Sequence, residues 1–155
     1  MKKYFIGILT ALTLCLCLLS VSASAATVAS DSCGTNLKWE LTDDGTLTIS
    51  GTGKMADYPY NTDAPWYYNR FDVKSIVIGD NVTTIGENAF WMFNKLTSVE
   101  LGESVESIGY QAFYYCEKLT SVVIPDSVNA SSNMVLSGSS CSVISGITHP
   151  CSRQT

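Results

Sequence analysis

Histidine is almost absent: the single copy, His149, lies close to the end of the 155 residues. With no second imidazole, neither a Ser-His-Asp nor a Cys-His arrangement can form over the rest of the chain. A phosphate loop is missing too. Gly51-Thr52-Gly53-Lys54 lacks the required spacing and does not link a parallel strand to a helix. Basic runs are lacking, and nine Lys or Arg face fourteen Asp or Glu, a net charge of −5 that argues against a nucleic-acid partner. Glu100, Glu103 and Glu106 are scattered, whereas a glycosidase pair needs a cleft that separates two carboxyl environments. Cys141, His149 and Cys151 are one ligand short of a closed zinc site. These gaps point away from an enzyme, and no catalytic residue, metal or cofactor is assigned.

Long hydrophobic runs are lacking except at the start. Met1-Lys2-Lys3 is basic, Tyr4 to Leu19 is apolar, and Ala23-Ser24-Ala25 supplies small residues. That is the layout of a secretory signal spanning residues 1–25, with cleavage expected before Ala26. The apolar run falls short of the roughly 20 residues of a membrane-spanning helix. A lipoprotein alternative exists at Cys15 or Cys17, but Leu14 and Leu16 precede them where a small residue is usual. Without Lys2 and Lys3 the mature chain carries a charge near −7 and keeps Cys33, Cys116, Cys141 and Cys151. The expected location is secreted or extracellular, with association at the cell surface and no membrane contact after signal cleavage. About 130 residues are enough for one modest core.

What the chain does have is a repeat. S-I-V-I-G-D-N-V (75–82), S-V-E-L-G-E-S-V (98–105) and S-V-V-I-P-D-S-V (121–128) align at a step of 23 positions. The same step relates Ile85 to Ile108, Gly86 to Gly109, Ala89 to Ala112, Phe90 to Phe113 and Leu96 to Leu119. In each unit the strand alternates apolar with polar residues, as a half-buried strand does. Gly102 or Pro125 then ends it, and Gly109 permits a sharp bend. Ala112, Phe113, Cys116 and Leu119 recur at helical spacing and predict a short helical turn over the strand. One unit cannot bury that face alone, so neighbours must stack. A period in the twenties is the signature of a leucine-rich-repeat-like solenoid. The expected fold is a β-rich repeat solenoid of 23-residue units, one strand plus a short helical turn each, with an N-terminal β-hairpin cap.

The pattern I-G-x-x-A-F-x-x-C-x-x-L-x-S-V-x-I-P-x-S-V (108–128) resembles the BspA-like leucine-rich-repeat family of bacterial surface proteins. The segment from Cys33 to Met55 is similar to the piece that often precedes repeats in that family. The resemblance implies a binding or adhesion role toward host proteins or other cells, without catalysis. It does not extend to the last part of the chain.

Ahead of the repeats (73–128), residues 26–32 read as an exposed leader and residues 33–72 as a hairpin cap with an aromatic junction. Leu37, Trp39 and Leu41 alternate with polar neighbours, as do Leu47 and Ile49, around an Asp43-Asp44-Gly45 turn. Two carboxylates fall far short of the six to eight oxygens that a calcium site needs. Pro65 favours a short helix through Trp66, Tyr67 and Phe71. Tyr58, Tyr60, Tyr67 and Tyr68 either fill the junction or form a sugar platform; half-buried junction filling fits their polar tips.

Two candidate surfaces follow. Outward strand positions form one: Ser75, Val77, Ser98, Glu100, Ser121 and Val123, on the face where partners of solenoids dock. Trp91 and Tyr114, beside the buried Phe, form the other and are expected to face outward. Cys116 shares a register with Phe93 and is expected to be a buried thiol rather than half of a disulfide. Residues 129–155 lose the 23-residue register and read as a Ser-rich, poorly ordered tail. That would leave Ser121 to Ile124 an open C-terminal edge prone to self-association. The partner expected from all this is an extracellular protein. The alternatives are a glycan or cell wall held by exposed aromatics, or no partner at all, the chain being a truncated remnant of a longer surface protein.

Overall fold

The computed structural model describes residues 24–59, 64–128 and 142–144. Residues 1–23 of the expected signal, Tyr60, and Cys141, His149 and Cys151 therefore lie outside the described residues. Ten strands follow one another: β1 Thr27–Ser32, β2 Leu37–Thr42, β3 Thr46–Gly51, β4 Gly53–Lys54, β5 Ser75–Ile78, β6 Val82–Ile85, β7 Ser98–Glu100, β8 Ser107–Ile108, β9 Ser121–Val123 and β10 Ser142–Ile144. Five of them form an open sheet in the order β1-β2-β3-β5-β7, and three form a second sheet, β4-β6-β8. Neither closes into a barrel.

The first sheet changes character at β3. β1, β2 and β3 pair antiparallel, with Asp31 opposite Trp39 and Leu41 opposite Leu47. From β3 onward the ladder is parallel, pairing Leu47 with Ile76 and Ile76 with Val99. The second strand of the hairpin is thus itself the first rung of the repeat ladder. Residues 27–32, expected as a leader, instead add an outer strand to the hairpin, although all but the partly buried Ala29 remain exposed. At the hairpin turn, Gly45 takes φ 91° and Asp44 Oδ1 accepts from Thr42 Oγ1 at 2.7 Å and from Thr46 N at 3.0 Å. These two bonds hold the Asp44 carboxyl below its ordinary pKa.

The second sheet follows each main strand after a short bend, pairing Thr84 with Ser107 and Ile85 with Ile108. Between the two sheets lies one continuous core, among whose described residues none is buried and polar. Ile76, Ile78, Val99, Leu101, Val122 and Ile124 come from one side. Val82, Ile85, Val105, Ile108 and Val128 come from the other.

The expected helical turns are not helices. The only described helix is a 3-10 turn at Tyr67–Asn69. In the repeats, single turns such as Trp91 N to Asn88 O (3.3 Å) and Tyr114 N to Gln111 O (3.1 Å) close one after another. Left-handed residues separate them: Asn88 and Met92 in one unit, Gln111 and Tyr115 in the next. The N–H groups then point at the neighbouring unit, Phe90 N to Ala112 O and Met92 N to Tyr114 O, both 2.8 Å. Bonds between units have replaced the i to i−4 bonds of a helix.

Gly86 and Gly109 have no left-handed φ, so their smallness serves packing rather than a bend. A Cβ at Gly86 would collide with Ala56 O, and one at Gly109 would come within 2.5 Å of Glu87 N. The edge expected at Ser121 to Ile124 is also occupied. β10 runs parallel to β9, pairing Ser142 with Ser121 and Val143 with Val122. Part of the expected tail is therefore a strand, and with β9 it makes a two-stranded parallel sheet separate from the five-stranded one.

Candidate binding faces

Alternation along each strand decides what the main sheet shows to solvent. Ile76 and Ile78 point into the core, which leaves Val77 on the outside, half-buried. Pairing aligns Glu40 with Thr48, Thr48 with Val77 and Val77 with Glu100, which makes one row across four strands. Val123, on β9 close to β7, is 62% exposed. A parallel row aligns Thr46, Ser75 and Ser98, tied by Ser75 Oγ donating to Thr46 Oγ1 at 3.1 Å. Ser121, on β9, pairs with Ser142 of β10 rather than with this row, and its side chain lies outside the description.

Sequence reasoning placed Ser75, Val77, Ser98, Glu100 and Val123 on one face, and there they stand. It missed Glu40, Thr46 and Thr48, which carry the face onto the hairpin. T-L-T-I (46–49) has the alternation of S-I-V-I (75–78), but at a separation of 29 positions rather than 23. The face ends in a cleft of about 430 Å³ bordered by Ser30, Asp31, Ser32, Lys38, Glu40 and Ser50.

The turns build a second surface. Trp66, Phe90 and Phe113 stack with centroids 5.3 Å apart at both steps and ring planes within 20° of parallel. Trp66 Nε1 also donates to Ala89 O at 2.6 Å. This buried column brings the next residues, Tyr67, Trp91 and Tyr114, to equivalent places on successive turns. Trp91 and Tyr114 are half-buried rather than fully outward, because each lies against the column beneath it. More exposed are their successors, Tyr68 at 85% and Tyr115 at 45%. Each meets its predecessor edge to face, Tyr67 with Tyr68 at 5.3 Å and Tyr114 with Tyr115 at 4.4 Å. The hydrogen bond with Tyr114, then its charge, raises the Tyr115 hydroxyl above its ordinary pKa.

The tyrosines of the junction thus divide. Tyr58 is buried, its hydroxyl 3.5 Å from Cys33 O, and edge-on to Trp66. Tyr68 stands in solvent. Cys116 is buried, as its register with Phe93 requires, with Sγ 3.2 Å from Phe90 O.

Among the described residues there is no histidine, and no three Cys, Asp or Glu side chains group as metal ligands would. Among those residues, too, no helix is long and apolar enough to cross a membrane. What both surfaces offer is contact.

Comparison with solved structures gives similar chains in three bacteria. A leucine-rich repeat protein from Eubacterium ventriosum superposes with a TM-score of 0.56 at 27% identity, over 67% of this chain and 39% of that one. A leucine rich repeat protein of T. pallidum gives 0.43 at 17% identity, over 74% and 64%. A leucine rich cell surface protein from Faecalibacterium prausnitzii gives 0.39 at 22% identity, over 69% and 38%. The chain thus spans well under half the length of the Eubacterium protein. No curated protein matches it. The family described as BspA type leucine rich repeat region matches residues 63–153 in six copies. That match runs into the segment where the 23-residue register fails, so the tail is not foreign to the repeats. With more than half of its length matched in this way, the chain belongs to the BspA-type leucine-rich-repeat family.

Proposed function

We propose that this chain is a surface-displayed, non-catalytic module that binds an extracellular protein through the open face of its main sheet. In this reading the units form a solenoid, and the antiparallel strands β1 to β3 cap its first end. The signal delivers the chain outside the cell, where the module serves adhesion. The observation that carries the reading is the row Glu40, Thr48, Val77 and Glu100, whose carboxylates are exposed and whose Thr48 and Val77 are half-buried, with the exposed Val123 on the nearby β9. An open sheet face usually carries polar residues only. Here Val77 and Val123 place apolar contacts between carboxylates, a mixture suited to a protein surface.

The test is binding of the mature chain to a panel of immobilised extracellular proteins, compared with Val77→Glu and Glu100→Lys. Loss of about tenfold or more in affinity in both variants, with an unchanged unfolding midpoint, is the expected result. Equal binding by wild type and both variants would remove the sheet face from the account.

A further inference from the structure

The turn face has features that a protein-binding sheet does not need. Of the six large hydrophobic residues that stand exposed among those described, four lie on the turns: Tyr68, Phe71, Tyr110 and Tyr115. Two of them keep the period: Tyr68 and Tyr115, like the half-buried Met92 of the unit between, each stand two residues after a ring of the buried stack. The buried rings beneath them step by 5.3 Å from one unit to the next. The edge-to-face pairings with Tyr67 and Tyr114 fix the two rings, so little freedom is lost when a ligand lies on them.

One cation is held at the Tyr68 end. The Arg70 guanidinium carbon lies 3.8 Å from the centroid of Tyr67 and 4.1 Å from that of Phe71, a clamp that keeps the group flat. Its Nη1 donates to Tyr67 O at 2.6 Å. Its Nε is buried without a hydrogen-bond partner, and no carboxylate pairs with it, among the described residues.

We propose that this strip binds a carboxylate-bearing carbohydrate, its sugar rings lying on Tyr68 and Tyr115 and its carboxylate directed to Arg70. Three features of the strip select that chemistry. Aromatic faces take the C–H side of a sugar ring while phenol hydroxyls meet its hydroxyls. Contacts that repeat once per unit suit a ligand that itself repeats, as a linear polysaccharide does. A clamped guanidinium is the group that recognises a carboxylate, and Arg70 is held in that way at the Tyr68 end of the strip. The proposal is independent of the sheet face, which lies on a different side of each unit.

Titration calorimetry of the full mature chain tests it, with oligogalacturonate and sialyllactose as acidic probes and a cello-oligosaccharide as the neutral control. The expected result is binding of at least one acidic probe in preference to the neutral one. Tyr68→Ala and Tyr115→Ala should each weaken it by about tenfold without moving the unfolding midpoint, since both rings are exposed. Arg70→Gln should abolish the preference for the acidic probe, and Arg70→Lys should keep part of it. Failure of both acidic probes to bind, equal binding of the neutral one, or unchanged affinity in the tyrosine variants would each overturn the proposal. So would loss of binding in Glu100→Lys, which would move the site to the sheet face.

Discussion

Trp66 and Phe90 stack with their rings 5.3 Å apart and 16° from parallel, although 24 positions rather than 23 separate them. Trp66 thereby acts as the phenylalanine of a unit that the sequence does not otherwise display. Phe90 is the middle member, in contact with Trp66, Phe93 and Phe113. Phe90→Ala should cost about 3–5 kcal/mol, at the upper end because the neighbours on either side cannot both collapse into the gap. Tyr68→Ala, in solvent, should change stability by less than about 0.5 kcal/mol. Urea unfolding of the two variants measures both. Similar costs would mean that the stack contributes no more than the surface.

A second outcome separates two roles for glycine. Were Gly86 needed for a bend, Asn would partly replace it, because Asn tolerates the left-handed region. With an ordinary φ and Ala56 O in the path of any Cβ, Ala and Asn should be equally harmful. Each should cost about 1–3 kcal/mol or more. An Asn variant clearly more stable than the Ala variant would restore the bend.

Stability should also fall in alkali. Burial pushes the Cys33 thiol from 9.0 up to about 11. The folded state therefore favours the protonated thiol, while the unfolded chain loses that proton at lower pH. Between about pH 9 and 11 the unfolded state binds fewer protons, so stability declines as pH rises and levels off above the folded value. Tyr58, raised chiefly by burial, extends the decline in the same direction. Cys33→Ala should flatten the slope between pH 9 and 11, as read from unfolding midpoints. An unchanged slope would show that this thiol does not ionise with unfolding.

Much of this architecture could be read from residues alone, because Ile76, Val99 and Val122 keep a fixed step and alternate with polar neighbours. What could not be read lies where the step changes. Thr46 pairs with Ser75 across 29 positions, and Ser121 pairs with Ser142 across 21. Loops between rungs gain or lose residues without disturbing the strands, so a search at one period stops at the first such change. The helical turns were misread for another reason. Ala112, Phe113 and Cys116 have helical spacing, but Gln111 and Tyr115 adopt left-handed φ angles that no propensity rule for these residue types would select. The sheet-face residues followed from alternation alone, whereas Arg70 and Tyr68 acquire meaning only once Trp66 is seen to be part of the stack.

The expected cleavage site lies directly before Ala26. Ala26 N lies 3.1 Å from Asp43 Oδ1, and Asp43 N donates to Ala26 O at 2.9 Å. Cleavage before Ala26 would turn that amide into an ammonium group facing the carboxylate. Mass spectrometry of the secreted chain should find Ala26 first, and Asp43→Asn should then cost no more than about 1 kcal/mol, as for an exposed ion pair. An acylated Cys15 or Cys17 would instead establish the lipoprotein alternative.

The last prediction concerns β10. Each added neighbour stabilises a strand, and a bare edge offers unpaired N–H and C=O groups to any other chain. In this structure β9 has β7 on one side and β10 on the other. Amide hydrogen exchange at Ser121 to Val123 should therefore be slow in the full chain at low concentration. A chain ending at Val128 keeps β7 and the core residues Val122 and Ile124 but loses the strand that pairs with β9. Exchange at those three residues should rise by at least about tenfold, and the shortened chain should self-associate as its concentration increases. Sedimentation alongside exchange separates the two effects. If both chains exchange alike at Ser121 to Val123 while monomeric, β10 does not stabilise the end of the ladder, and Ser121 to Ile124 is the open edge after all.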